Sequence, residues 1–346
     1  MATLLSIKDL SAEELEQFFV DSGESKFRAQ QALLWLYPRG VGTFGARTNI
    51  RKELRETLAA RFRLGPPEIG EMLESEDGTR KFTLVLHDGR KVESVIIPDG
   101  KRVTLCVSTQ AGCKRGCRLC ATARMGFERN LTSGEILDQI IAANSLLTGG
   151  KRVSNLVFMG MGEPMDNLDE VLKSLKIIHS DYGFCMAPGR VTISTVGVLE
   201  GIRRLAKEGS KEILAVSLHA SDDVTRRKLI PLANKVSIKE ILEECRAYAK
   251  HAQDKVTFEY VMIRGVNCSV EDAKRLVKLL AVLPAKINLI PYNEAAGGEF
   301  EAPSEEEIEA FRQELNKGQA IVTLRRSRGR DIRAACGQLC VTDKGA

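Results

Sequence analysis

The stretch Cys106–Phe127, CVSTQAGCKRGCRLCATARMGF, decides how the rest of this chain is read. Cys113, Cys117 and Cys120 fall in it as C-x3-C-x2-C. The run leading into it, RVTLCVS, is β-branched and alternating, which predicts a buried strand followed by a turn at Ala111–Gly112. Three thiolates on a tight loop at a strand end suit an iron–sulfur cluster, whose irons are held by cysteine sulfur. A cubane has four irons, so three local cysteines leave one iron open, and an open metal position is where a substrate or cofactor binds. Structural zinc is the alternative. It takes a closed set of paired ligands, and the second pair is missing here.

From residue 103 a βα rhythm takes over. Strands are predicted at 103–109, 154–160, 190–195, 212–218, 256–263 and 286–291, with helices at 132–147, 168–180, 198–208, 236–251, 270–281 and 303–316. Strand–helix alternation indicates a parallel sheet with helices outside, and right-handed crossovers curve it into an open, partial βα barrel. Functional groups are then expected at the carboxyl ends of the strands. Each end carries polar residues: Gly162–Glu163 in MGMGEP, Ser194–Thr195, Ser217-Leu218-His219, Asn267 and Tyr292–Asn293. Gathered on the rim that bears the cysteines, they form a pocket signal.

Upstream, residues 1–65 read as a small helical module. Ser11 and Glu14 make a capping box before LEQFF, a second helix covers FRAQQALLWLY, and a third runs from about 49 to 62. Its expected core is Phe18, Phe19, Leu33, Leu34, Trp35 and Leu36. Residues 68–100 read as a β-hairpin extension turning at His87-Asp88-Gly89. Glu93 lies in its second strand, where local pattern alone places it on the solvent face of an edge.

The composition, 43% hydrophobic and 28% charged, is that of a globular protein, and no apolar run approaches the roughly 18–20 residues of a membrane helix. Lys8 and Asp9 interrupt the N-terminus, which argues against a secretory signal. Nine unevenly spaced cysteines do not read as a disulfide framework, and a reducing cytoplasm fits them best. Basic side chains concentrate at 26–63 (Arg47 among them), at 101–130, and at Arg325, Arg326, Arg328, Arg330 and Arg333. Such concentrations point to a polyanionic partner. The sequence runs only six residues past Cys340, so an extended basic tail is not expected to add RNA contacts.

The loop CKRGCRLC resembles the radical S-adenosylmethionine (SAM) signature. With MGMGEPMDNL, STVGV, SLHA, EYVMIRGVN, INLIPYN and DIRAACGQL in that order, the chain resembles the RlmN-type RNA adenine methyltransferases from about residue 10 to 341. The resemblance implies an α/β fold, a partial (β/α)6 radical-SAM barrel over 101–341 with the N-terminal helical domain and the hairpin appended. It implies a [4Fe–4S] cluster on Cys113, Cys117 and Cys120. SAM, two per turnover, is expected on Gly162, Glu163, Ser194, Ser217, Leu218, His219 and Asn267. Cys336 is then the methyl-carrying cysteine, Cys106 its resolving partner and Glu93 the base that removes the carbon-2 proton. The expected substrates are one adenosine of 23S ribosomal RNA and one beside the tRNA anticodon. An electron donor such as a flavodoxin, a monomeric state and no membrane complete the expectation.

The chemistry explains two lone cysteines besides the cluster. Carbon-2 of adenine is electron-poor, so the SAM sulfonium finds no nucleophile there. In the family scheme Cys336 takes the methyl first, a polar step suited to a thiolate. The S-methyl group, made a radical, adds to carbon-2; Glu93 removes the ring proton, and Cys106 releases the RNA by disulfide formation. Arg330 and Arg333 are expected to favour the Cys336 thiolate. Cys185, Cys245 and Cys268 read as ordinary thiols, whereas Cys340 competes as a disulfide partner if it shares a face with Cys336. Two alternatives stay open: a Cfr-type carbon-8 methyltransferase, disfavoured by Pro164 after Glu163, and a zinc-stabilised RNA-binding protein without catalysis.

Overall fold

A computed structural model describes residues 4–46, 50–293 and 299–341. Arg47 and the expected start of the third helix at 49 lie outside them. The helical module forms as its caps dictate. Ser11 and Glu14 exchange side chain-to-backbone bonds of 3.1 and 2.6 Å at the start of α1 (Ala12–Asp21), which packs with α2 (Phe27–Leu36) and α3 (Lys52–Arg61). Phe19, Leu33, Trp35 and Leu36 are buried as expected, while Phe18 and Leu34 are half-buried. The module is tied to the barrel through buried Lys8, which pairs with Asp138, and through Asp9, which accepts from the Gly134 amide at 3.2 Å.

Ten strands build one sheet whose spatial order follows the chain. They are β1 (Glu68–Glu74), β2 (Arg80–Val85), β3 (Lys91–Asp99), β4 (Arg102–Cys106), β5 (Asn155–Phe158), β6 (Val191–Thr195), β7 (Ile213–Ser217), β8 (Val256–Met262), β9 (Ala285–Pro291) and β10 (Ile321–Leu324). Pairing is antiparallel from β1 to β4 and parallel from β4 to β10. The parallel part is the partial barrel. Every residue of β8 is buried, as a strand covered on both faces must be. Helices Ser133–Leu146, Leu168–His179, Leu199–Lys207, Ile238–Ala252, Val270–Leu280 and Glu305–Leu315 form the crossovers. Side chains from β4, β5, β6, β9 and β10 line a single cavity, so the sheet curls around a lumen.

The hairpin turning at His87-Asp88-Gly89 forms as expected, and the structure extends it. β2 and β3 are joined by a third strand, β1, and the whole ribbon continues the barrel sheet through β3–β4 pairing. Glu93 is therefore interior, 5% exposed, and not on a solvent-facing edge. The basic concentrations are also partly neutralised by acids remote in sequence: Arg115 by Asp166 (2.7 Å), Arg118 by Glu299 (2.8 Å), Arg129 by Glu135 (2.7 Å) and Arg326 by Glu305 (2.6 Å).

Candidate active site at the carboxyl rim

The cysteine loop is pinched shut at its base. Gln110–Gly112 pairs antiparallel with Phe127–Asn130, and the Cys113 amide donates to the Gly126 carbonyl at 2.7 Å. A side chain on Gly112, at φ +77°, would lie 2.0 Å from that carbonyl oxygen, so only glycine closes the ribbon. Cys113, Cys117 and Cys120 line one wall of a cavity. Gly162, Glu163, Ser194, Ser217, His219, Glu259 and Cys336 line the rest.

Each of these positions follows from a local constraint. Gly162, at φ +102°, seats the loop after β5 against Gln110, whose Cβ would be 2.6 Å from an added Cβ. Glu163 is buried and accepts from the amides of Val196 (2.9 Å) and Met165 (3.1 Å), yet makes no ion pair at 4 Å among the described residues. Burial pushes its carboxyl up to about 7, against those two amides, which favour the ionised form. His219 sits at φ +56°, and its Nδ1 accepts from the Val261 amide at 3.1 Å. That bond leaves Nε2 as the protonated nitrogen. Burial, with Arg226 nearby, pushes the imidazole down to about 3, so it is neutral.

Two expected SAM residues do not line the cavity. Leu218 is a fully buried core residue. Asn267 has its amide occupied: Nδ2 donates to the carbonyls of His219 (2.8 Å) and Val261 (2.7 Å), and Oδ1 accepts from Ile263 (2.7 Å). It fixes the His219 turn and has no donor left for a ligand. Asn293, at the end of β9, ties the Cys336 segment to the barrel, donating to Ser327 (2.9 Å) and to the Cys336 carbonyl (3.4 Å).

Residues 5–64 match the family described as the ribosomal RNA large subunit methyltransferase N-terminal domain, and residues 107–280 match the radical SAM superfamily. The chain is 44% identical over 340 residues to a dual-specificity RNA methyltransferase RlmN of Syntrophotalea carbinolica, covering 97% of this chain and 90% of the relative. It is 43% identical over 341 residues to the protein so named from Geobacter sulfurreducens, covering 98% and 93%. A solved radical SAM methyltransferase from Sphaerobacter thermophilus superposes with a TM-score of 0.92 at 40% identity, over 97% of this chain and 99% of that one. The chain belongs to the RlmN family of radical SAM RNA methyltransferases.

The cofactors of an RlmN-family enzyme are a [4Fe–4S] cluster and SAM, used twice. The residues present fit both groups. Burial and mutual repulsion raise the Cys113 thiol to about 11 and Cys117 further, so these two ionise only against a bound cation. Cys113, Cys117 and Cys120 all face one cavity, and cysteine thiolates are the ligands an iron–sulfur cluster takes. Arg226 is fully buried beside Cys117 with Nη1 unpartnered. Glu163 lines the same cavity, buried and without a contacting cation among the described residues.

Cys336 joins this cavity to a second one of about 510 Å³, the barrel lumen, which Cys106 also lines. Its exposure is into these cavities, and burial raises its thiol while Arg325 pulls it back. The counter-charge is thus Arg325, not Arg330 or Arg333, both of which are exposed on the segment before it. Burial and the charge of Cys336 push Cys106 up to about 12. All nine cysteines are free.

Glu93 is brought to neither cavity. It lines a separate cleft of about 750 Å³, with Lys81, Lys91, Arg124 and Cys340. Cys340 therefore sits on the far side of its segment from the Cys106 lumen. The Cys336–Cys340 segment divides the spaces and is pinned by Ala121 to Gly337 (2.7 Å), Thr122 to Leu339 (2.7 Å) and the Cys340 amide to Glu93 (2.8 Å).

Proposed function

We propose that this enzyme methylates carbon-2 of one adenosine in 23S ribosomal RNA and of the adenosine 3′ to the anticodon in tRNAs, with Cys336 as methyl carrier. The observation that carries this reading is the position of Cys336, common to the cavity of the three cysteines and the lumen of Cys106. A thiol so placed reaches a SAM methyl on one side and a second thiol on the other. Held by the three thiolates, the cluster supplies the electron that cleaves the SAM sulfonium.

The protein groups divide the remaining work. Glu163 accepts a hydrogen bond from the SAM amino group, and Gly162 lets backbone approach it; Ser194, Ser217 and the Nε2–H of His219 hydrogen-bond the rest. Cys336, its thiolate favoured by Arg325, accepts the methyl group; that group would lose one hydrogen atom to the radical that a second SAM supplies on cleavage, and its carbon would then bond carbon-2 in a covalent protein–RNA adduct, one electron returning to the cluster as the ring gives up its proton. Glu93 takes the carbon-2 proton. Cys106 attacks the Cys336 sulfur, releasing methylated RNA and leaving a disulfide that a reductant reopens. The pinned Cys336–Cys340 segment must shift for Glu93 and the methyl group to face one adenine. RNA is the macromolecular partner, a flavodoxin-type carrier the electron source, and a monomer in the cytoplasm the working form. Among the described residues no helix is long and apolar enough to cross a membrane.

Incubation with SAM, reductant and both RNAs, followed by nucleoside mass spectrometry, tests the reading. It predicts 2-methyladenosine; 8-methyladenosine as the sole product contradicts it. Cys106→Ala is expected to trap the protein–RNA adduct, and a fully active, adduct-free variant removes Cys106 from the mechanism.

A further inference from the structure

We infer that Lys81 is a positioning residue of this reaction: it holds Glu93 ionised in its cleft and ties the base to the segment that carries Cys336. The inference rests on Glu93 being the base. Lys81 and Glu93 lie on neighbouring strands, Lys81 opposite Val95 and Glu93 opposite Thr83, so they are diagonal neighbours on one face. Val95 in turn faces Cys106, which puts the base and the resolving thiol on the same face of the sheet. Lys81 Nζ lies 2.8 Å from Glu93 Oε1, and both side chains are buried, 9% and 5% exposed. A buried carboxylate needs such a partner, because burial alone drives it to the neutral acid.

The pair also grips both ends of the methyl-carrying segment. Lys81 Nζ donates to the Arg333 carbonyl at 3.4 Å, and Glu93 Oε2 accepts from the Cys340 amide at 2.8 Å. Cys336 lies between these two points. When the segment shifts toward the ring, the Cys340 bond is the one to break, freeing Oε2 as the proton acceptor while Lys81 retains Oε1. The carbon-2–hydrogen bond then breaks with its electron pair left on the ring, and the proton forms an O–H bond on Glu93.

The other groups around the cleft do not replace Lys81. Glu71 from β1 opposes ionisation of Glu93, as does Cys340 if it loses its proton. Asp331 is held by Ser75 at 2.6 Å. Lys91 from β3, Arg124 from the helical turn after the cysteine loop, and Arg333 also line the cleft, while Lys81 is the cation in contact with Glu93, favouring its charged form by hydrogen bond and by charge against the burial that raises it.

The test is the pH dependence of adduct clearance by the reconstituted full-length enzyme with SAM, dithionite and tRNA. Lys81→Met is expected to accumulate the adduct at pH 7 and clear it as pH rises. Its acid limb should lie at least about one unit higher, making clearance at pH 7 roughly tenfold slower. Lys81→Arg should restore the original limb, and Cys336 methylation in the same preparations should be unaffected. If Lys81→Met takes up no iron, Lys81→Gln carries the same comparison. An unshifted limb, or clearance and Cys336 methylation slowed equally at every pH, overturns the inference provided that Glu93→Gln stalls at the adduct. A Glu93→Gln enzyme that clears the adduct normally removes the base assignment itself, and the role of Lys81 with it.

Discussion

Glu163 and Glu93 are both buried carboxylates near the carboxyl rim, and burial raises both, yet their surroundings differ in one respect. Glu93 has its own cation, Lys81, in contact. Glu163 has two backbone amides and no contacting cation among the described residues. A protein that supplies the counter-charge keeps the carboxylate for chemistry; one that withholds it leaves a place for a charged ligand. The contrast supports the proposal that Glu93 acts as a base and Glu163 as a binding group.

The comparison breaks most visibly at the residue between the two regions. Cys336→Ala is expected to abolish methyl transfer while the cluster's visible absorbance and iron content stay unchanged; loss of iron as well makes Cys336 structural. Next, Glu163→Gln removes the anionic seat. Losing one partner of a buried charge pair costs about 2 kcal/mol or more, so SAM affinity measured by calorimetry should weaken roughly thirtyfold. An unchanged affinity places the SAM ammonium elsewhere.

The third prediction follows from the Glu163 carboxyl lying near 7 in the free protein. Above that pH the group is already ionised and SAM affinity should be flat. Below it, accepting a hydrogen bond from the SAM amino group must expel a proton from Glu163, so affinity should fall by about tenfold per pH unit. Proton release, read from calorimetry in buffers of different ionisation enthalpy, checks the sign; proton uptake on binding contradicts it. The smallest effect on binding is expected at Asn267. Asn267→Ala leaves buried partners unsatisfied, lowering stability by roughly 2–3 kcal/mol in thermal unfolding, with little change in SAM affinity of the folded fraction.

Much of this architecture was legible from periodicity and caps. The parallel strands are β-branched runs, and the helices between them begin at Thr132/Glu135, Ser237/Glu240, Ser269/Asp272 and Ser304/Glu307 capping boxes. The cysteine loop declares itself by spacing. What stayed hidden depended on partners remote in the chain. β1, EIGEMLE, has no buried residue and so no alternation to detect. Glu93 looks like a solvent-face residue until Lys81 is seen to pair with it in the interior. The charge acting on Cys336 comes from Arg325 at the end of β10 because the segment folds back over the lumen, which proximity in sequence to Arg330 and Arg333 misstates. Asn267 is expected at SAM from the family resemblance, and its three side-chain hydrogen bonds to His219, Val261 and Ile263 could not be read from sequence because they join two strand ends.

The account rests on Cys336 receiving the methyl group before RNA does. Enzyme incubated with isotopically labelled SAM, then digested and analysed by peptide mass spectrometry, reads this directly. Labelled methyl on the peptide bearing Cys336, and on no other cysteine, is the predicted result. An enzyme that methylates RNA while its Cys336 peptide never acquires label contradicts it.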